Sequence, residues 1–234
     1  MEQQKIYKLF TGKVKKVGQK DAENKMAQEW ESAIFKTATE GPVHLTKTGF
    51  VGDDVADKKN HGGPEKAVFA YPVSHYESWR RELDADIEIG GNGENFAVMH
   101  MDETSVCIGD TYKVGGAVVQ VSQPRRPCWK PARRHNVLDL ALRIQKTGRT
   151  GWYFRVLEEG DVESRDTFQL ISRPHPDWSI EACNEVMYNQ KDNIGLNESL
   201  ASLDLLAESW KTTISKRLSG DEGSSEKRVF GPNR

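Results

Sequence analysis

One cysteine in a strongly basic stretch is the residue of this chain whose type and surroundings best suit chemistry. Cys128 lies between Pro127 and Trp129, and residues 111–138 contain six Lys and Arg but neither Asp nor Glu. Nearby cations stabilise a thiolate, so the pattern predicts a reactive thiol or a ligand for a soft metal. The arginines also suit an anionic group such as a phosphate or a carboxylate. The alternative interpretation is an inert buried cysteine beside a solvated basic loop.

Two glycine-containing stretches are the next candidates. Residues 49–68 form a polar stretch that contains His61-Gly62-Gly63 shortly before a predicted strand. Glycines there let the backbone approach a ligand closely, although taken alone the stretch fits an acidic surface loop better. Residues 90–96, Gly-Gly-Asn-Gly-Glu-Asn-Phe, could wrap an anion with backbone amides or could simply form a connection.

The remaining cysteines carry no such signal. Cys107 lies in a strand-end context and Cys183 on the apolar face of a predicted helix, which favours packing roles for both. Three widely spaced cysteines do not predict a disulfide scaffold. The sequence also has no Cys-x-x-Cys pair, no His-Glu-x-x-His, no phosphate-binding Walker loop and no dinucleotide glycine fingerprint, which sets aside the common zinc and nucleotide enzymes.

Composition narrows the class of protein further. The 234 residues carry 33 Lys and Arg against 35 Asp and Glu, a formal net charge of −2, so general binding to nucleic acids or membrane surfaces is disfavoured. No apolar run approaches the roughly 18 residues that a membrane-spanning helix needs. Residues 1–5 lack the apolar stretch of a secretory signal, which predicts a cytoplasmic protein.

A mainly β domain must position these residues. Segments rich in β-branched and aromatic residues alternate with Gly, Asp and Asn turns. Gly115-Gly116 predicts a tight hairpin, because both turn positions tolerate positive φ. Apolar residues at helical spacing predict helices at residues 72–83 and 137–145. The predicted strands lie at residues 6–17, 33–37, 66–70, 111–114, 117–121, 152–156 and 167–171.

The chain changes character after Arg173-Pro174-His175-Pro176, whose two prolines indicate a linker. Beyond it, residues 203–214 carry an apolar stripe at helical spacing. About 40 residues are too few for a stable core of their own, so this helical unit is predicted to pack on the β domain. The predicted organisation is a β domain at 1–175, a small three-helix domain at 176–218 and a flexible polar tail at 219–234.

Taken in order, these motifs resemble the MOSC domain, named for the C-terminal domain of molybdenum cofactor sulfurase. The resemblance spans roughly residues 5–173, and the helices after it resemble the three-helix domain of the YiiM-type subgroup. It rests on Asp57-x-x-x-His61-Gly62-Gly63 with Lys66-Ala67-Val68, Gly93-Glu94-Asn95-Phe96, Ile108-Gly109-Asp110, Gln123-Pro124-Arg125-x-Pro127-Cys128 and the strand from Gly151 to Leu157.

The resemblance implies an α+β, mainly β fold: a β-barrel of the pyruvate kinase barrel type with flanking helices, plus the C-terminal helical domain. It implies a molybdenum cofactor, a pterin with a phosphate and a metal-holding dithiolene. Cys128 would be the catalytic residue and the protein ligand to the metal. Pyridoxal phosphate is also suggested for the family, but no lysine here stands out as a Schiff-base candidate. The cofactor contacts carried over are His61, Lys66, Asn95, Ser122, Arg125 and Arg126.

The activity implied is the reduction of small N-hydroxylated compounds, such as hydroxylamino-purines, with electrons from a separate donor reductase. One alternative is a non-redox carrier of the cofactor or its sulfur, with Cys128 as a persulfide site. The other is a nucleic-acid or phosphometabolite binder that uses only the basic loop. That alternative ranks last, because aromatic residues are scarce there. No membrane partner is expected, and the oligomeric state is left open, a dimer being one alternative.

Overall fold

A bent β-sheet forms the centre of the computed structural model, which describes residues 2–83 and 85–234. The strands are β1 (Lys5–Thr11), β2 (Lys15–Val17), β3 (Trp30–Ser32), β4 (Thr37–Ala38), β5 (Val43–Thr46), β6 (Gly49–Phe50), β7 (Val68–Pro72), β8 (Phe96–Met99), β9 (Thr111–Val114), β10 (Ala117–Pro124), β11 (Trp152–Glu158), β12 (Gly160–Val162) and β13 (Phe168–Ser172). The helices are α1 (Lys58–His61), α2 (Ser74–Leu83), α3 (Trp129–His135), α4 (Leu140–Thr147), α5 (Ile180–Tyr188), α6 (Ile194–Ala201), α7 (Glu208–Leu218) and α8 (Glu226–Val229).

The main sheet closes on itself along part of its length. Its strand order is β13-β9-β10-β11-β7-β8-β1-β4, in which β7 and β8 run parallel. Near the start of β1 the Ile6 N–H donates to Asp166 O at 2.9 Å, and Lys5 bridges to Thr167 just before β13. These contacts join β1, the last strand but one at one side of the sheet, to the residues just before β13 at the other side. The mainly β, barrel-like class predicted from the sequence is therefore confirmed.

Aromatic side chains fill the interior of this barrel. Phe96, Phe154 and Phe168 are buried, and their ring centroids lie 5.9–6.4 Å apart. Burial of apolar area on this scale is the main source of stability in such a core. The Gly-Gly hairpin is present as predicted: Val114 pairs with Ala117, and Gly115 has a φ of +55°.

Two of the predicted strands differ in the structure. The segment predicted at 6–17 is divided, because the chain turns at Gly12, whose N–H donates to Asp53 Oδ1 at 2.8 Å. The segment predicted at 33–37 is mostly loop, and Ala33 and Ile34 line a cavity. Both departures lie near this cavity, since Ala33 and Ile34 line it and Gly12 bonds to Asp53, which also lines it.

The three C-terminal helices share their hydrophobic core with the barrel, as the apolar stripe predicts. Cys183 and Trp210 are fully buried in the same cluster as Val121 of β10. The Trp210 indole N–H donates to Pro124 O at 3.1 Å, and the Ala207 N–H donates to Ser122 O at 2.9 Å. The helical unit is thereby fixed to the end of the strand that leads to Cys128.

The end of the chain differs from the flexible tail predicted from residue 219. Residues 226–229 form α8, and Val229 and Phe230 are buried against Ala141 of α4. The reason is that two apolar residues in an otherwise polar segment find an apolar partner on the barrel domain. Within the described residues, no helix is long and apolar enough to cross a membrane.

Candidate functional site

Cys128 lies where strand β10 has ended and helix α3 begins. Its backbone is extended, with φ −126° and ψ 173°, and the residue is only 7% exposed. The Arg125 N–H donates to Gly151 O at 3.0 Å, which holds the segment before it against the start of β11. The thiol therefore lies at the end of a short connection between β10 and α3, and a backbone hydrogen bond to the residue just before β11 holds the start of this connection in place.

Two cavities meet at this thiol. The smaller has a volume of about 390 Å³ and is lined also by Phe69 and Arg125, and the larger, of about 880 Å³, is lined also by Arg126. The larger cavity lies between the barrel and the C-terminal helices. The lining residues common to both include Asp57, His61, Lys66, Cys128, Lys130 and Tyr153.

The environment of Cys128 favours its thiolate. Burial alone would raise the pKa of the thiol, but the charge of His61 and a hydrogen bond with it oppose that effect. Arg125 and the backbone amide of Lys130 act in the same direction, and together these groups lower the pKa of Cys128 to about 6. By contrast, burial raises the pKa of both Cys107 and Cys183. Of the three cysteines, Cys128 is therefore the one whose surroundings favour the thiolate.

His61 reaches the thiol from the last position of the short helix α1. Asp57 begins this helix, since its Oδ1 accepts from the Asn60 N–H at 3.1 Å and its Oδ2 accepts from Asn60 Nδ2 at 2.8 Å. Lys66 Nζ donates to Asn60 O at 2.7 Å and closes the other side of the loop. Gly63 follows with a φ of +93°, which favours glycine. The loop thus serves to hold His61 beside the cysteine.

The pH dependence of Cys128 alkylation should report this arrangement. With a pKa of about 6, the thiolate predominates above that pH and the unreactive thiol below it. Replacing His61 by glutamine removes a charge that lowers the pKa, so the midpoint should move upward, toward about 8.5. Rates of iodoacetamide modification, followed on the Cys128 peptide by mass spectrometry, measure this. The exposed His44→Gln variant is the control, and an unmoved midpoint in His61→Gln would contradict the assignment.

Arg125 carries a buried cationic nitrogen without a partner. Its guanidinium lies over the Phe69 ring at 4.9 Å from the centroid, and the residue is buried. No group of the described residues makes a hydrogen bond to its Nη1 atom. A buried unpaired donor of this kind is costly, so Arg125 places an unsatisfied cationic donor in the wall of the smaller cavity.

Arg126 belongs to the larger cavity, although the sequence analysis assigns both arginines to one cofactor. Its Nη1 donates to Thr213 Oγ1 of α7 at 2.7 Å. Burial lowers its pKa, and the nearby charges of Arg228 and Arg217 lower it further. Consecutive side chains of an extended segment point to opposite sides, so the two arginines separate. The two arginines predicted as cofactor contacts therefore line different cavities, and their role in binding a cofactor stays a prediction.

Asn95 and Ser122 have structural roles that the sequence did not reveal. Asn95 borders the smaller cavity, but its Oδ1 accepts from Phe69 N–H at 3.1 Å and its Nδ2 donates to Asp53 Oδ2 at 2.8 Å. Ser122 lines neither cavity: its Oγ is fully buried and lies 2.6 Å from Glu65 O. Its side chain thus faces the interior in this structure, and its role as a cofactor contact stays a prediction.

Other residues of the site were missed by the sequence analysis. Lys36 forms a buried ion pair with Asp53, and both line the smaller cavity. Arg217 and Tyr188 line the larger one, with the Tyr188 hydroxyl buried and without a partner among the described residues. Lys36 lies in a segment predicted as a strand, and Tyr188 and Arg217 lie in the predicted helical unit, so no local signal marks these three as site residues.

Comparisons with known proteins agree with this architecture. The MOSC domain family matches residues 57–169, and the YiiM-like 3-alpha helix domain family matches residues 178–221. The uncharacterized protein YflK of Bacillus subtilis is 41% identical over 187 residues, which cover 80% of this chain and 85% of YflK. A protein named Reductase from Gibberella moniliformis is 40% identical over 173 residues, which cover 72% of this chain but 30% of that protein.

A solved structure supports the same assignment. The crystal structure of YiiM from Geobacillus stearothermophilus has a TM-score of 0.77 and 34% sequence identity to this chain. The match covers 92% of this chain and 99% of that one, so it includes both the barrel and the helical unit. The chain is therefore a member of the MOSC-domain family, of the type that carries a YiiM-like three-helix domain after the barrel.

Proposed function

We propose that this protein is an oxidoreductase that binds a molybdenum cofactor through Cys128 and reduces N-hydroxylated compounds such as hydroxylamino-purines. The observation that carries the proposal is a buried thiol with a pKa of about 6 at the junction of two cavities, with cations beside it. The relative named Reductase supports an oxidoreductase role in general terms. A soft thiolate suits a molybdenum–sulfur centre, and buried cations suit the phosphate of the pterin.

The donor set of the site fits such a cofactor. Among the described residues no group of three or more His, Cys, Asp and Glu side chains is arranged to hold a metal ion. A metal at Cys128 would therefore take most of its ligands from outside the chain, and a dithiolene provides them. The unpaired Arg125 Nη1 supplies a donor for the anionic end of the cofactor, and the rings of Phe69 and Tyr153 line the same cavity.

Each residue around the thiol then has a defined role. A bound cofactor would supply the two electrons for reduction of the substrate's N–O bond. Cys128 contributes its thiolate as a metal ligand, and Arg125 fixes and orients the cofactor. His61, which lines both cavities and interacts with the thiolate, would deliver a proton to the departing oxygen. The overall reaction takes up two electrons and two protons and converts a hydroxylamine into an amine and water.

The larger cavity is the better candidate for the substrate. Its volume of about 880 Å³ falls within the size range of small-molecule sites, and it reaches both His61 and Cys128. The smaller cavity, which holds the unpaired Arg125 nitrogen, is then left to the cofactor. This division assigns the two cavities to two different molecules that meet at the thiol.

Two measurements test the proposed function. Metal analysis of freshly purified protein should find molybdenum near stoichiometry. Turnover of a hydroxylamino-purine with a chemical reductant should then produce the amine. Molybdenum without turnover would favour the alternative of a cofactor or sulfur carrier, and cyanide-releasable sulfur on Cys128 would identify the persulfide form. Protein that neither contains nor takes up the cofactor would overturn the proposal.

The anion-binding role of Arg125 gives a second prediction. Replacing Arg125 by alanine removes the unpaired buried donor, so cofactor retention should weaken by about 1–3 kcal/mol, the worth of a charge-assisted hydrogen bond. The Arg126→Ala variant should affect retention less, since its side chain faces the other cavity. Cofactor content after gel filtration measures the loss, and Arg143→Ala, an exposed position on α4, is the matched control. Equal retention in Arg125→Ala and Arg143→Ala would contradict the assignment.

A separate electron donor is also part of the proposal. The sequence has no Gly-x-Gly-x-x-Gly turn, and its three cysteines cannot supply the four thiolates of an ordinary iron–sulfur cluster. Cofactor-loaded protein with NADH or NADPH and an N-hydroxylated substrate should therefore stay inactive until a flavin, haem or iron–sulfur reductase, or a dye reductant, is added. Steady turnover with nicotinamide alone, in a preparation free of flavoprotein, would show that no such partner is needed.

A further inference from the structure

The segment at the end of the chain, residues 221–233, makes hydrogen bonds to the carbonyl groups of the two residues that flank Cys128. We call this segment the C-terminal strap. Arg228 Nη1 donates a hydrogen bond to Pro127 O. Asn233 Nδ2 donates to Trp129 O at 3.3 Å. The carbonyl groups of the residues before and after the cysteine are thus both held by the strap, nearly all of which lies outside the two family matches.

The strap is built to stay in this position. Val229 and Phe230 are buried against Ala141 of α4, and Arg228 Nη2 donates to Gln145 Oε1 at 2.8 Å. At Gly231 the backbone lies directly on the indole of Trp129, since a Cβ there would be 2.3 Å from Trp129 Cδ1. Its φ of +51° also favours glycine. Apolar packing, hydrogen bonds and a close backbone approach therefore act together on the segment that carries Cys128.

The strap also forms part of the wall of the larger cavity. Glu222, Ser225 and Arg228 line this cavity together with Cys128 itself. Thr213 of α7 and Lys66, just before β7, line the same cavity. A molecule that approaches Cys128 through the larger cavity consequently passes a wall that includes the strap.

We infer that the C-terminal strap positions the Cys128 segment and limits the size of the molecules that reach the thiol, with Arg228 and Asn233 as positioning residues. The inference rests on the proposed function in taking Cys128 as the reactive centre. It requires no bound cofactor, because it concerns the chain's own contacts. Loss of the two hydrogen bonds should let the segment open locally while the barrel remains folded.

Alkylation with reagents of two sizes tests the inference. Rates are measured on the full chain with iodoacetamide and with iodoacetamidofluorescein, and the Cys128 peptide is followed by mass spectrometry. Both reagents attack the same thiolate, so the ratio of bulky to small rates is independent of the ionised fraction. In Arg228→Ala/Asn233→Ala this ratio should rise about tenfold. The reason is that the loss of two hydrogen bonds lowers the free energy needed to open the segment locally. In Arg234→Ala, whose side chain lies over Phe230 in the same segment, it should stay unchanged.

A purely stabilising role of the strap predicts a different result. In that case the double variant would melt at a lower temperature while the ratio in the folded protein stayed at the wild-type value, and this outcome would overturn the inference. Asn233→Ala alone, which removes one hydrogen bond, gives the same test if the double variant does not fold. Arg228→Lys, which keeps a donor for Pro127 O, should restore most of the wild-type ratio. Because the experiment measures modification of the thiol, its result can be interpreted even if the protein contains no molybdenum.

Discussion

Replacement of Cys128 by alanine should abolish cofactor-dependent reduction while leaving the fold intact. The expected loss in turnover is about a thousandfold or more, since removal of a group on which the reaction depends leaves only residual catalysis. Cys128 is the cysteine whose surroundings lower the pKa of its thiol, to about 6. The measurement is reduction of a hydroxylamino-purine with a chemical reductant, together with molybdenum content after purification.

The matched control is Cys107→Ala. Cys107 is also buried, but burial raises the pKa of its thiol, and it lines neither of the two cavities at Cys128. This variant should keep its molybdenum and its activity and should differ at most in stability. Full activity in Cys128→Ala would refute the proposed role of the thiolate. Loss of activity in both variants, with a lowered melting temperature, would point to a folding effect instead.

Replacement of Trp210 by alanine should give the largest loss of stability. The indole is fully buried in the core shared by the barrel and the helical unit, and its N–H donates to Pro124 O at 3.1 Å. Removing a buried tryptophan leaves a cavity and costs about 3–5 kcal/mol. Urea unfolding measures this. Ile194→Ala is the control within the same helical unit, because Ile194 is 64% exposed and should change the free energy of unfolding little.

The same replacement should affect the site as well. Pro124 closes strand β10, immediately before the segment that carries Arg125 and Cys128. Loss of its hydrogen bond should loosen that segment, so activity should fall in protein that is still folded. Truncation after Pro176 should have a stronger effect of the same kind, with a lower melting temperature and an exposed apolar face on the barrel. An unchanged melting curve and a soluble monomer after the truncation would show that the helical unit is an independent accessory.

Within the fold, the sequence alone determined the features that depend on local spacing. The Gly115-Gly116 hairpin follows from two residues that tolerate positive φ, and the apolar stripe at 203–214 places the helical residues that must be buried. The concentration of cations around Cys128 identified the thiol that the structure places beside cations and a cavity. These are properties of neighbouring residues, so the chain encodes them directly.

Tertiary structure decided which of the candidates meet. His61 is remote from Cys128 in the sequence, yet its charge is what most lowers the pKa of the thiol against the effect of burial. Arg125 and Arg126 are adjacent in the sequence, yet they line different cavities, and Ser122 is turned into the interior. The packing of Arg228 and Asn233 on the cysteine segment likewise had no local signal. The physical reason is that Coulomb energies and desolvation depend on distance and burial in three dimensions, which spacing along the chain does not fix.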